Sequence, residues 1–98
     1  MLTSVQRIGN LDALRDYVNK TLCNREQLEI DAFEMTERIL VRGSRPCGIY
    51  FFLHGPSAVR FSAIWETDHN TILFYDANGI RYHQTQLIQS PSFEPAAA

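Results

Sequence analysis

The first part of the chain carries the hydrophobic spacing of an amphipathic helix. In the stretch LDALRDYVNKTLC the apolar positions recur every three or four residues, at Leu11, Leu14, Val18 and Leu22. Charged residues fall on the opposite side, and Asn10 has a side chain suited to an N-cap. The pattern predicts a helix over residues 10–23, preceded by a short, loose lead-in over residues 1–9.

From Glu37 onward the pattern changes to the alternation and short apolar runs that are typical of strands. The successive segments are ERILVR, GIYFFLH, SAVRFSAIWE, TILFY and IRYHQTQ. Their connections are short, which favours antiparallel neighbours. The strongest turn signal is DANG at residues 76–79, where Gly79 is expected to adopt a positive φ. The pattern predicts an antiparallel sheet over residues 37–87.

Two segments carry weaker signals. REQLEIDAFEM, before the predicted sheet, reads as a weak strand or a loop. The tail, residues 89–98, contains two prolines and three terminal alanines and is expected to be poorly ordered. The chain of 98 residues is predicted to be one domain of the α+β class. It has one N-terminal helix packed on a meander of about five antiparallel strands.

The run Ile-Tyr-Phe-Phe-Leu, residues 49–53, is apolar throughout and fits a strand that is covered on both faces. One helix covers only one face of a sheet, and side chains alternate between the faces. The second face is predicted to hold Tyr50, Phe52, Ile64, Leu73 and Tyr75. Tyr, Phe and Arg are enriched where proteins meet, and a two-fold homodimer is the commonest closed assembly. The first hypothesis is therefore a non-enzymatic interaction module that forms a homodimer through this face or binds another protein.

Two other binding functions compete with it. A small-ligand or anion-binding domain would use the aromatic side chains together with Arg42, Arg45, Arg60 and Arg81. Binding of single-stranded nucleic acid would use base stacking on Tyr50 and Phe52. The formal net charge of -2 disfavours the nucleic-acid partner.

The residues that could carry chemistry favour structural roles. Cys47 lies between proline and glycine at a strand start, without a motif of cysteine enzymes, and is predicted to be buried or nearly so, reduced and inert. The Gly43-Ser44 stretch reads as a hairpin connection rather than an anion cradle, because a strand and not a helix follows it. The histidines lack metal-ligand spacing. No catalytic residue, cofactor or metal is predicted.

The pattern also bears on compartment. The start of the chain lacks a signal-peptide pattern, and no stretch approaches the ~18 apolar residues of a membrane span. The two cysteines, Cys23 and Cys47, are far apart and are expected to be thiols in a reducing compartment. The predicted localisation is cytoplasmic, with no membrane partner.

The segment from residue 42 to residue 82 carries several short motifs, namely Arg42-Gly43, Pro46-Cys47-Gly48, His54-Gly55-Pro56, Ala63-Ile64-Trp65 and Phe74-Tyr75. With these motifs the chain resembles short uncharacterised bacterial proteins of the planctomycete type. The resemblance covers under half of the chain and implies no activity, ligand or site residue.

Overall fold

One α-helix and one six-stranded sheet make up the protein in a computed structural model that describes residues 2–93. The elements are β1 (Leu2–Gln6), α1 (Leu11–Arg25), β2 (Met35–Arg42), β3 (Arg45–His54), a short 3-10 turn (Pro56–Ala58), β4 (Arg60–Glu66), β5 (Thr71–Tyr75) and β6 (Arg81–Leu87). The predicted α+β class and N-terminal helix are confirmed.

The helix begins where its capping residue predicts. The Asn10 side-chain oxygen accepts a hydrogen bond of 2.8 Å from the Ala13 amide, which satisfies one of the free N–H groups of the first turn. The apolar stripe is buried at Leu14, Val18, Leu22 and Cys23. The helix runs two residues beyond the predicted end at residue 23, because the Glu26 amide still bonds to the Leu22 carbonyl.

The sheet order is β1-β6-β5-β4-β3-β2, and β1 pairs in parallel with β6. The predicted meander of five antiparallel strands is present as β2 to β6, but the sheet is not purely antiparallel: β1 adds a sixth strand, parallel to β6. The segment expected to be a loose lead-in over residues 1–9 contains β1. The backbone groups of β1 form hydrogen bonds with β6, which lies near the other end of the chain. The local sequence pattern does not indicate such a distant partner.

The core lies between α1 and one sheet face, which we call the helix face. α1 packs on β3 and β4. The strands contribute buried apolar side chains at alternate positions, including Ile49, Phe51, Leu53, Ala63, Trp65, Ile72 and Phe74. The segment between α1 and β2 is a loop, and Leu28 and Phe33 from this loop also pack against the core.

The tail was expected to be poorly ordered over residues 89–98. Within the described residues Pro91 is buried, and the Phe93 ring stacks on Trp65 with 5.1 Å between ring centroids. Residues 94–98 lie outside the described residues. Phe93 therefore anchors this part of the tail, which its composition does not reveal.

The turn between β5 and β6 has the predicted geometry. Gly79 adopts a φ of +78°, and its amide bonds to the Asp76 carbonyl at 3.0 Å. The Asp76 carboxylate accepts hydrogen bonds from the amides of Asn78 and Ile80. The predicted positive φ at Gly79 is confirmed.

Candidate functional site

The sheet face opposite α1, which we call the outer face, brings the five predicted surface residues together. Tyr50 pairs directly with Ile64, and Ile64 pairs with Leu73 on the next strand. Phe52 and Tyr75 lie in the neighbouring row, each opposite Ser62. All five side chains are partly exposed. The pairing register thus creates a contiguous aromatic and aliphatic surface across three strands.

Two aromatic rings and one cation form the centre of this surface. The rings of Tyr50 and Phe52 stack with 4.3 Å between centroids and 12° between planes. The guanidinium carbon of Arg60 lies 5.1 Å from the centroid of Phe52, within range of a cation–π interaction. The stack is presented as an ordered flat platform, because each ring limits the freedom of the other.

The outer face has a depression of about 470 Å³ at one end, framed by the 3-10 turn and the β5–β6 turn. Its lining includes Phe52, Arg60, Ser62 and Asn78. Asp76 also lines it, but one oxygen of that carboxylate already accepts from two amides of its own turn. The depression therefore combines an aromatic wall with one guanidinium, one carboxylate and several neutral hydrogen-bonding groups.

The structure divides the four candidate anion-binding arginines between opposite ends of the sheet. Arg42 and Arg45 pair with each other at the β2–β3 hairpin, and Arg42 donates to Asp68 at 3.0 Å. Arg60 and Arg81 lie at the other end, at the starts of β4 and β6. A single anion site cannot contain all of them.

A polar cluster on the helix face joins β1, β6 and α1. The Ser4 hydroxyl lies 3.1 Å from Nε2 of His83 and 2.9 Å from the hydroxyl of Thr85. The Tyr17 hydroxyl lies 2.8 Å from that same Thr85 oxygen, which is fully buried. Burial lowers the pKa of His83 below its ordinary value. Sequence reasoning missed this cluster, because its members are distant in sequence and share no motif.

His83 and His54 are each at or near the end of a strand, but they have different partners. His54 Nε2 lies 2.9 Å from the Thr36 hydroxyl. Thr36 pairs with Phe52 between β2 and β3. His83 contacts Ser4 on the helix face. Within residues 2–93, no group of three or more His, Cys, Asp or Glu side chains is placed to hold a metal ion.

A cavity of about 520 Å³, widely open to solvent, lies between the C-terminal half of α1 and the start of β6. The guanidinium carbon of Arg25 lies 4.6 Å from the centroid of the Tyr82 ring. The Tyr82 hydroxyl is buried without a hydrogen-bond partner, and burial is the main cause that raises the pKa of Tyr82 to about 12. An unpaired buried polar group costs about 1–3 kcal/mol of stability. This cavity was not predicted from the sequence.

The two thiols differ in exposure. Cys23 is fully buried, whereas Cys47 is only partly buried. Both are free thiols.

No helix of the described part of the chain is long and apolar enough to cross a membrane.

No protein-family model, curated protein or solved structure matches the chain. The resemblance to short bacterial proteins therefore stays a prediction.

Proposed function

We propose that the protein is a non-enzymatic interaction module that forms a homodimer through the outer face. The observation that carries the proposal is the cross-strand row Tyr50–Ile64–Leu73, continued by Phe52 and Tyr75. None of these five residues belongs to the core or to the partly buried hydrophobic residues packed against the core. A second layer over this row would bury apolar surface that faces water in the single chain.

Charge placement favours a second copy of this chain as that layer. β4 carries Arg60 at its start and Glu66 at its end, and the even-numbered positions from 60 to 66 share the outer face. In a two-fold dimer whose β4 strands cross in opposite directions, Arg60 meets Glu66 of the partner subunit at both ends. The surface is therefore complementary to itself, as an isologous interface requires.

The first experiment is light scattering over a concentration series. The wild-type chain, of 11.3 kDa, is expected to give twice that mass. Phe52→Glu places a charge in the centre of the interface and is expected to give the monomer mass. The matched control is Ile88→Glu, because Ile88 is 59% exposed and lies outside the sheet. A wild-type monomer at every concentration, or a Phe52→Glu variant that remains dimeric, would contradict the proposal.

A charge exchange tests the orientation of the two copies. Arg60→Glu and Glu66→Arg each place like charges opposite one another in a homodimer, so each variant alone is expected to be monomeric. An equimolar mixture of the two variants restores opposite charges at both ends and is expected to form a heterodimer. Failure of the mixture to associate, with both variants folded by circular dichroism, would rule out this orientation.

The depression beside Phe52 favours one second candidate function, the binding of a small anion. Arg60 supplies the charge, and Ser62 and Asn78 supply neutral hydrogen-bonding groups. The test is an NMR titration with inorganic phosphate. Saturable amide shifts at Ser62 and Asn78 that Arg60→Gln abolishes would support anion binding, and unchanged spectra would exclude phosphate-like ligands from this depression.

A further inference from the structure

The cavity between α1 and β6 lies on the opposite side of the sheet from the proposed dimer surface. Its volume of about 520 Å³ is in the range of small-molecule sites. It is lined by Thr21, Asn24, Arg25, Tyr82 and His83, and most of its wall is apolar. A ligand could therefore occupy it whether or not the chain dimerises.

Arg25 provides a cation that the protein itself satisfies poorly. Its only ion pair among residues 2–93 is to Glu26, at a long distance of 3.8 Å. The guanidinium group lies against the face of the Tyr82 ring, 4.6 Å from the centroid. The guanidinium group covers the Tyr82 ring in the free protein, and its N–H groups remain available to a ligand.

Tyr82 provides a second unsatisfied group at the same place. Its hydroxyl is the only buried side-chain nitrogen or oxygen atom of the described residues that lacks a hydrogen-bond partner. Buried polar atoms in folded proteins are nearly always paired, so an orphaned hydroxyl beside a cavity indicates a missing partner. His83 also lines the cavity, and its Nε2 lies 3.1 Å from the Ser4 hydroxyl and 3.3 Å from the Thr85 hydroxyl.

We infer that this cavity binds a small aromatic carboxylate. The carboxylate would take the planar hydrogen-bond fork of Arg25 and accept from the Tyr82 hydroxyl, which Arg25 exposes when it turns from the ring towards the ligand. The ring of the ligand would pack against the apolar wall and the Tyr82 face. An inorganic anion uses only the first of these features, and a neutral arene uses only the second.

The test is an NMR titration with benzoate, compared with benzamide as its neutral analogue. Benzoate is expected to give saturable shifts confined to the amides of residues 21–25 and 82–83. Benzamide is expected to bind about tenfold more weakly, because it cannot form charge-assisted hydrogen bonds with Arg25. Equal binding of the two compounds, shifts elsewhere, or the absence of saturable shifts with benzoate would overturn the inference.

Two variants and a control assign the contacts. Arg25→Gln is expected to weaken benzoate binding about tenfold, whereas Lys20→Gln, which removes an exposed cation from the same helix, leaves it unchanged. Tyr82→Phe should have effects of opposite sign: it raises the melting temperature of the free protein, because the orphaned hydroxyl is gone, and weakens benzoate binding. A Tyr82→Phe variant that binds benzoate like wild type would contradict the inferred hydrogen bond between the Tyr82 hydroxyl and the carboxylate.

Discussion

The Ser4 hydroxyl lies 3.1 Å from Nε2 of His83 and thereby joins the first strand to the last. Thr85, fully buried on β6, lies 2.9 Å from that same hydroxyl and 2.8 Å from the hydroxyl of Tyr17 on α1. Three elements that are distant in sequence thus meet in one hydrogen-bonded cluster. The cluster explains how a short polar strand stays attached to an edge of the sheet.

His83 makes the stability of the fold depend on pH. Burial lowers the pKa of His83 below the ordinary value of 6.5, so the unfolded chain binds a proton more readily than the folded chain. We expect the free energy of unfolding contributed by this group to be fully present above pH 6.5 and to fall as the pH drops from 6.5 towards the folded-state pKa. Urea unfolding at a series of pH values measures it.

The control separates His83 from the other titrating groups. His83→Gln is expected to flatten the loss of stability in that pH window, because the side chain no longer titrates. Identical pH profiles for wild type and His83→Gln would show that His83 does not titrate differently in the two states.

Gly79 tests the turn that connects β5 and β6. Its φ of +78° lies in the left-handed region, where β-branched residues are strained. Gly79→Val is expected to destabilise the protein by about 1–3 kcal/mol. Gly79→Asn is the matched control, because asparagine tolerates this region, and no neighbouring atom lies within 4 Å of an added Cβ. Equal melting temperatures for the two variants would show that a β-branched residue is not strained at position 79.

The elements that the sequence predicts are those determined by nearby residues. The spacing of Leu14, Val18 and Leu22 and the cap at Asn10 define α1, and Asp76 and Gly79 define the last turn. In each case the hydrogen bonds close within a few residues. The sequence pattern therefore contains both partners of the interaction.

β1 could not be predicted for the opposite reason. Leu2–Gln6 alternates weakly, and its partner strand begins at Arg81. Parallel pairing across that separation depends on the completed sheet, and no local signal specifies it. The same limit applies to the cavity beside Tyr82, which arises from the packing of the end of α1 against β6.

Side-chain alternation predicts which residues share a face of the sheet, but not at which end of the sheet each residue lies. It placed Tyr50 and Ile64 on one face before the register was known, and the pairing has them directly opposite each other. It could not show that Arg42 and Arg60 lie at opposite ends of the sheet, because that depends on the direction of each strand. The role of the outer face as a contact surface stays a prediction.

Gly48 tests the close approach of β3 to β4. A Cβ added at Gly48 would collide with the backbone oxygen of Trp65, and backbone atoms in the middle of a sheet cannot move aside cheaply. We expect Gly48→Ala to destabilise the protein by about 1–3 kcal/mol, the usual cost of overpacking. Gly9→Ala is the control, since its Cβ would meet only the Gln89 side chain, at 3.5 Å. A Gly48→Ala variant as stable as Gly9→Ala would contradict the close contact.

The two cysteines should react in a fixed order. The Cys23 thiol is fully buried and donates to the Asn19 side-chain oxygen at 3.4 Å. Burial, followed by the negative charge of Asp31, raises the pKa of Cys23, so both access and thiolate formation are restricted. Cys47 is only partly buried.

We therefore expect iodoacetamide to label Cys47 in the native protein, more slowly than free cysteine, and to label Cys23 only after unfolding. Mass spectrometry of the labelled peptides over time measures both rates, and labelling in urea provides the control in which the two sites react alike. Native labelling of Cys23 at the rate of Cys47 would show that the helix face opens without global unfolding. Labelling of Cys47 faster than free cysteine would instead show an activated thiol and would refute its inert role, because partial burial alone slows the reaction of a thiol.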